Sequence, residues 1–171
     1  MEKKKLLIIS IVSFILSSIA MGVVDSYIQN ETTPYGIVSF EFIKSIEASN
    51  AALQAWGEKG KITAGISLGL DYLYIVVYTS MMCLALSLTS EKVSILSPHL
   101  GKMVLITAYL APLIGLFDAI ENYGLIHLLL GSTNQVWPLV AYYFAVGKFS
   151  GVMIVLILVV WGQIYAKIKA T

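Results

Sequence analysis

The chain has no arginine, a single cysteine and few charged residues of either sign. Charged residues make up 12% of its 171 positions, and all eleven basic residues are lysines. The missing arginine argues against bidentate recognition of phosphate or nucleic acid, and a net charge of +1 provides no basic surface for either. Cys83 alone excludes an internal disulfide, and the separated His99 and His127 lack the spacing of zinc ligands. We therefore expect no metal, no cofactor and no nucleic-acid partner.

Long apolar runs dominate the sequence instead. Hydrophobic residues account for 58% of the chain, and the mean hydropathy is +0.84, as is typical of membrane proteins. Four runs are long enough to span a bilayer, at about 6–24, 62–88, 103–130 and 139–166. The sequence therefore predicts an all-α polytopic membrane protein, in which a single membrane domain (1–171) is a bundle of four transmembrane helices.

The lysines set the predicted orientation of this bundle. Seven of them fall on one side of the membrane and three on the other. By the positive-inside rule, the side with seven faces the cytoplasm, which predicts a multi-pass protein of the plasma membrane with both termini cytoplasmic. The seven are Lys3, Lys4, Lys5, Lys92, Lys102, Lys167 and Lys169, and the three are Lys44, Lys59 and Lys61.

The N-terminal run has a second interpretation. The lysines at 3–5, the apolar run and the small residues Ala20 and Gly22 also resemble a signal peptide with its cleavage site. The run is nineteen residues long, which exceeds the usual core of a signal peptide and suits a retained helix. The sequence favours the retained helix and leaves cleavage open.

The segment between the first two spans is too long and too patterned for a bare loop. Its part at about 38–57 predicts an external amphipathic helix that ends at Gly57. Its apolar residues recur at helical spacing, at Phe42, Ile46, Leu53 and Trp56. One alternative is that this helix simply packs over the bundle. The other is that it forms a lid over a polar site, with Glu41 or Trp56 facing inward.

Ionisable residues occupy the middle of three predicted spans. Asp71, Glu121 and Lys148 each lie nine residues in from the same face of the bilayer. At the helical rise per residue this depth is roughly 13 to 14 Å, close to the middle of a ~30 Å hydrocarbon core. Because charges inside a bilayer are costly and rare, a set at one depth predicts a functional site.

Side chains that share helical faces define the predicted pocket. Asp118, Glu121 and Asn122 align on the third span because residues three and four apart lie on one face. On the second span, two tyrosines share a face with Asp71 and would donate hydrogen bonds to its carboxylate. The predicted binding pocket comprises Asp71, Tyr74, Tyr78, Asp118, Glu121, Asn122 and Lys148, with Glu41 and Trp56 as the residues of the alternative lid.

Two pairs of glycines four residues apart lie in the predicted spans. Gly65 and Gly69 precede Asp71, and Gly147 and Gly151 flank Lys148. Small residues at this spacing let a neighbouring helix approach closely, so both pairs predict helix contacts.

The charge balance of the predicted pocket favours a shared proton or a bound cation. Three ionised acids and one lysine would leave a net charge of −2 in a medium of low dielectric constant. We expect Lys148 to pair with one carboxylate, and one of Asp71, Asp118 and Glu121 to be protonated near neutral pH. The structural alternative is a buried ion pair that fixes the helix register without any ligand.

Four segments together resemble an uncharacterised prokaryotic family of small four-span membrane proteins. They are SFEFIKS at 39–45, AWG at 55–57, LDYLYIVVYT at 70–79 and LFDAIENY at 116–123. The resemblance implies an FE-containing external helix that ends in tryptophan, an LDxxY second span and a DxxEN third span. It implies no activity, but it marks as important Glu41, Trp56, Asp71, Asp118, Glu121 and Asn122. In architecture alone, the chain also resembles four-helix proteins of the sterol-isomerase and sigma-2-receptor type, which implies an acidic intramembrane cavity.

Three functions of different classes are compatible with these features. The leading one is an integral membrane protein whose acidic intramembrane pocket binds or carries a small cationic or amphipathic molecule, or protons. The second is a membrane-embedded, isomerase-like enzyme that shuttles protons between paired carboxylates on a lipid substrate. The third is an accessory subunit of a membrane complex, with the external helix as its docking surface. A carrier would need to form a homo-oligomer to provide a translocation path.

Overall fold

Every regular element within residues 2–169, the part of the chain that the structure describes, is a helix. The structure is a computed structural model. Four helical stretches are long and apolar enough to cross a membrane, which confirms the all-α fold class and the number of candidate spans. The α-helices are α1 (Glu2–Asp25), α2 (Ile37–Glu41), α3 (Ile46–Leu96), α4 (Pro98–Leu110), α5 (Pro112–Leu129) and α6 (Val136–Lys169), with a 3-10 turn at Ser26–Ile28.

The third candidate span consists of two helices in line, α4 and α5, rather than one helix over 103–130. Pro112 has no backbone N–H to continue the hydrogen-bond pattern, so α4 ends at Leu110 and α5 begins at Pro112. Ala111 between them keeps right-handed helical angles (φ −54°, ψ −33°). The chain therefore continues in helical conformation past the proline.

The connection between α3 and α4 is tighter than the sequence suggests. A loop around residues 94–98 is predicted, with Gly101 as a further loop residue, but only Ser97 is outside the two helices. Gly101 lies inside α4 and is buried, and its carbonyl accepts a hydrogen bond from the Ser90 hydroxyl at 2.8 Å. α3 and α4 therefore form a close helical hairpin.

The predicted external helix at about 38–57 is broken into two pieces, so the prediction of one amphipathic helix was wrong. α2 ends at Glu41, residues 42–45 are not helical, and the Ser45 hydroxyl caps the start of α3 by accepting from the Ala48 amide at 3.2 Å. The break separates Phe42 from the apolar face of α3. Its side chain is 41% exposed, whereas the neighbouring Glu41 is only 6% exposed.

A kink at Gly57 divides the start of α3 from its long membrane-length part. Gly57 has φ 61° and ψ −171°, angles that glycine tolerates because it has no Cβ. The sequence predicts a helix end here, and the helical angles are indeed interrupted, although the helix resumes at once. Just before the kink, Trp56 Nε1 donates hydrogen bonds to the Ile28 carbonyl and the Thr33 hydroxyl, both at 2.8 Å. Trp56 therefore anchors the first part of α3 to the 3-10 turn.

Contacts between distant parts of the chain define two ends of the molecule. At one end, Lys3 Nζ of α1 lies 2.6 Å from Glu91 Oε1 near the end of α3. At the opposite end, the Gln135 side chain before α6 donates to the Lys44 carbonyl before α3 at 2.6 Å. We call the first end, where α1 begins and α3 and α6 finish, the lysine-rich end.

α1 packs against α3 at the periphery, and none of its described residues is fully buried. Its Ser18 hydroxyl donates to the Tyr74 hydroxyl at 3.2 Å, and its Phe14 ring stacks on Tyr74 with centroids 5.4 Å apart. The remaining faces of α1 carry exposed aliphatic side chains such as Ile8 and Leu16. α1 therefore covers one side of α3 without entering the core.

Gly147 and Gly151 of α6 lie at close contacts with α5, as the sequence predicts. A Cβ added at Gly147 would lie 2.8 Å from a ring carbon of Phe117, and one at Gly151 would lie 2.7 Å from Ile114. The other predicted pair makes no such contact: a Cβ would find nothing within 4 Å at Gly69 and only a side-chain carbon at 3.5 Å at Gly65. Only the pair beside Lys148 therefore supports a close helix contact.

This difference predicts opposite effects for two matched double variants. G147A/G151A should lower the free energy of unfolding by about 1–3 kcal/mol, because the added methyl groups overpack the interface between α5 and α6. G65A/G69A, which adds the same atoms to α3 where there is room, should leave stability unchanged or raise it slightly. Thermal unfolding in detergent, followed by circular dichroism, measures both, and equal midpoints for the two variants would contradict the close contact.

Candidate functional site

Lys148 lies at the centre of a cluster of three carboxylates. Its Nζ is 3.3 Å from Glu41 Oε2, 3.0 Å from Asp118 Oδ1 and 2.9 Å from Glu121 Oε2. All four side chains are more than nine-tenths buried. We call these four residues the Lys148 cluster. The sequence predicts a pair with one carboxylate, and the structure brings three of them to the same ammonium group.

Three separate elements bring the Lys148 cluster together. α5 presents Asp118 and Glu121 on one face, as their spacing of three residues predicts. α6 supplies Lys148 from the opposite side, and the short helix α2 inserts Glu41 between them. Glu41 faces inward, as in the lid alternative, while Trp56 packs in the apolar core beside Ile28.

The position of Glu41 depends on contacts outside α2, because a helix of five residues cannot stabilise itself. The Asp25 carboxylate at the end of α1 accepts a hydrogen bond from the backbone amide of Ile37, the first residue of α2, at 2.8 Å. At the other end of α2, Glu41 is held by Lys148. Burial raises the pKa of the Glu41 carboxyl above its usual range, and the nearby Lys148 ammonium partly opposes this rise.

Asp71 lies outside the Lys148 cluster and has no cationic partner among the described residues. Its Oδ2 accepts a hydrogen bond from Asn122 Nδ2 at 2.5 Å. The prediction that two tyrosines donate to Asp71 was wrong, because Tyr78 donates to Asp118 Oδ2 at 2.8 Å and the Tyr74 hydroxyl is bonded to α1. A shared helical face brings the phenols near Asp71, but the neighbouring helices decide which carboxylate they meet.

A cavity of about 410 Å³ lies beside these groups and is bordered by α1, α2, α3, α5 and α6. Most of the predicted pocket residues line it, while Glu121 contacts Lys148 without lining the cavity, and Trp56 does not reach it. The polar lining consists of Glu41, Ser67, Asp71, Tyr74, Tyr78, Asp118, Asn122 and Lys148. The apolar lining consists of Phe14, Met21, Ile37, Val38, Leu68, Met81, Met82, Phe149, Val152 and Leu156.

The cavity changes from polar to apolar along its length. On α3, Asp71 precedes Met82 by eleven residues, a distance of roughly 16 Å along the helix. On α6, Lys148 likewise precedes Leu156. Both helices run towards the lysine-rich end, so the cavity has an acidic end beside α2, and only beyond the Tyr78 hydroxyl is its lining towards the lysines apolar. This amphipathic shape suits a ligand with a polar head and an apolar tail.

Sequence reasoning missed Ser67, a polar residue of the cavity. Ser67 is fully buried on α3, lines the cavity one helical turn before Asp71, and its Oγ has no hydrogen-bond partner among the described residues. Its spacing of four residues from Asp71 was the available signal, because residues at this distance share a helical face. Serines are common in apolar helices, however, so the spacing alone did not distinguish it from the others.

Comparisons of the chain with protein-family profiles, curated proteins and solved structures find no match. Within residues 2–169, no group of three or more histidine, cysteine, aspartate or glutamate side chains has the arrangement to hold a metal ion. In the Lys148 cluster the position between the carboxylates is taken by the ammonium group itself.

The Lys148 cluster predicts a large loss of stability when its cation is removed. Lys148→Met leaves three buried carboxylates without a counter-charge, and breaking a buried ion pair in this way costs about 3–5 kcal/mol. We expect a strongly lowered thermal midpoint at neutral pH and a smaller loss at acidic pH, where the carboxyls are protonated and no longer repel one another.

Lys3→Met provides the control, because it removes a lysine from an exposed ion pair with Glu91. Surface pairs contribute little, so this variant should unfold close to the wild-type temperature at either pH. If Lys148→Met were as stable as Lys3→Met at neutral pH, the Lys148 cluster would not hold the helices together.

The charge balance also predicts a protonated carboxyl in the native protein. Three carboxylates share the Lys148 ammonium and Asp71 has no cationic partner among the described residues, so at least one of these four groups is expected to carry a proton near neutral pH. Infrared spectroscopy should show the carboxyl band in the wild type and its loss in one of E41Q, D71N, D118N and E121Q. E47Q, which alters an exposed acid on α3, should keep the band, and a wild-type spectrum without it would disprove this expectation.

Proposed function

We propose that this protein is a multi-pass protein of the plasma membrane, in which the four long helical stretches form a transmembrane bundle with both termini in the cytoplasm. The length and hydropathy of these stretches support the proposal. So do the exposed aliphatic side chains on their outer faces, which water would not favour over such an area. The lysines at the ends of α1 and α6 support the orientation, since positive residues remain on the cytoplasmic side.

Within this bundle, the protein binds or carries a small amphipathic cation in the cavity beside α2. The observation that carries this proposal is a largely apolar cavity of about 410 Å³, lined at its acidic end by the Asp71 carboxylate, which forms no ion pair with any described residue. An ionised carboxylate in such surroundings needs a proton or a cation, and a ligand ammonium can supply the charge. The apolar remainder of the cavity would receive the hydrophobic part of the same ligand.

The number of acids favours a ligand over a purely structural ion pair. A structural pair needs one carboxylate for one lysine, whereas Glu41, Asp118 and Glu121 already surround Lys148 and Asp71 adds a fourth acid. This surplus of negative charge also suits the uptake of protons, because a carboxyl can change its protonation state as a cation enters or leaves. Cation binding and proton exchange are therefore two consequences of the same charge balance.

Mass spectrometry of the small molecules that copurify with the protein tests this function. A cationic amphiphile should accompany the wild type in mild detergent and should fall by at least about tenfold in Asp71→Asn, which removes the charge at similar volume. Glu47→Gln is the matched control, because Glu47 is an exposed acid on α3 that does not line the cavity.

Two results would contradict the proposal. The first is a set of bound molecules that is identical in the wild type and in Asp71→Asn. The second is a stoichiometric protein partner that all three proteins retain without any charged small molecule, since this would favour an accessory subunit whose buried charges only fix its helices.

A further inference from the structure

The hydroxyl of Ser67 is a buried polar group without a partner, next to the carboxylate that lacks a cation. Ser67 is 0% exposed, and its Oγ has no hydrogen bond to any described residue. A buried hydroxyl normally finds a partner, because leaving it unpaired costs free energy. Ser67 lines the cavity, so a molecule bound there can supply the missing partner.

Asp71 offers a second acceptor on the same face of α3. It lies four residues after Ser67, so both side chains project towards the cavity from successive turns. Asn122 occupies only one of its carboxylate oxygens, Oδ2, and Oδ1 has no hydrogen bond to a described residue. The cavity therefore borders two neighbouring oxygens that can accept a hydrogen bond and that no described residue uses, the Ser67 Oγ and the Asp71 Oδ1.

We propose that Ser67 and Asp71 together bind the N–H groups of a protonated primary or secondary amine whose single apolar chain fills the rest of the cavity. This inference rests on the proposed function and specifies the class of its ligand. A quaternary ammonium has the charge for Asp71 but no N–H to donate, and an alcohol can donate but has no charge. The two acceptors thus select for amines that can donate hydrogen bonds.

The rest of the cavity determines which hydrophobic chain the proposed amine can carry. Beyond the hydroxyls of Tyr74 and Tyr78, its lining is apolar and includes Phe14 of α1 and Val152 and Leu156 of α6. A volume of about 410 Å³ is near the lower end of the range for drug-sized ligands, which leaves room for one chain and a small head group. The chain would lie along α3 towards Met82 and the lysine-rich end.

Three probes of equal chain length test the head group: decylamine, decyltrimethylammonium and decanol. Native mass spectrometry of the full-length protein, released from detergent micelles, measures the fraction that carries each probe over a range of probe concentrations. In the wild type, decylamine should bind about tenfold or more tightly than decyltrimethylammonium, because hydrogen bonds to charged groups contribute at least this much, and more tightly still than decanol.

Variants then test whether Ser67 and Asp71 cause the preference for decylamine. Ser67→Ala should weaken the binding of decylamine by about tenfold and leave decyltrimethylammonium unchanged, whereas Asp71→Asn should weaken both cations. Ser80→Ala is the matched control, because it removes an exposed hydroxyl from the same helix and does not line the cavity. Hexylamine should bind less tightly than decylamine in the wild type, since its chain covers less of the apolar lining.

The outcomes separate this inference from the function on which it rests. If both cations bind equally well and Ser67→Ala has no effect, Ser67 and Asp71 do not bind amine N–H groups as proposed, although a cation site at Asp71 would stand. If decanol binds as well as decylamine, the proposed cation binding itself fails. The comparison of probes in the wild type decides the question even if Ser67→Ala does not fold.

Discussion

The packing of this protein depends on a single lysine in the middle of apolar helices. The Lys148 ammonium lies within 3.3 Å of carboxylates from α2 and α5, so these elements cannot move away from α6 without leaving a buried charge unpaired. The glycine at 147 allows the approach, because α5 and α6 touch there through the Phe117 ring. Electrostatic pairing and close packing thus act at the same point, and the cavity is built beside it.

The same cluster explains why a helix as short as α2 is part of the structure. Its five residues could not remain helical alone, but the Asp25 carboxylate binds its first amide and Lys148 binds the glutamate at its end. α2 therefore joins the end of α1 to the centre of the molecule. Because Glu41 and Ile37 also line the cavity, the segment that completes the Lys148 cluster also closes the acidic end of the cavity.

The sequence predicted the helical class, the candidate spans, the shared face of Asp118 and Glu121 and the close contact at Gly147, because all of these follow from local spacing. It placed Asp71 with Lys148 because both lie at the same depth. Both residues do line the same cavity, but depth along a helix says nothing about the direction in which a side chain points, and Asp71 accepts a hydrogen bond from Asn122 rather than pairing with Lys148. The break at 42–45 was also missed, since the apolar pattern continues across it.

The polar groups of the core fall into two kinds. Around Lys148, charge and hydrogen bonds are concentrated on one ammonium, as expected where a buried polar network holds helices in register. On α3, by contrast, the Ser67 Oγ and the Asp71 Oδ1 have no hydrogen-bond partner among the described residues, although both residues border a largely apolar cavity. A network that served packing alone would gain stability by satisfying or replacing such groups. These two oxygens, together with the apolar cavity that they border, form an arrangement that an amphipathic ligand would complete.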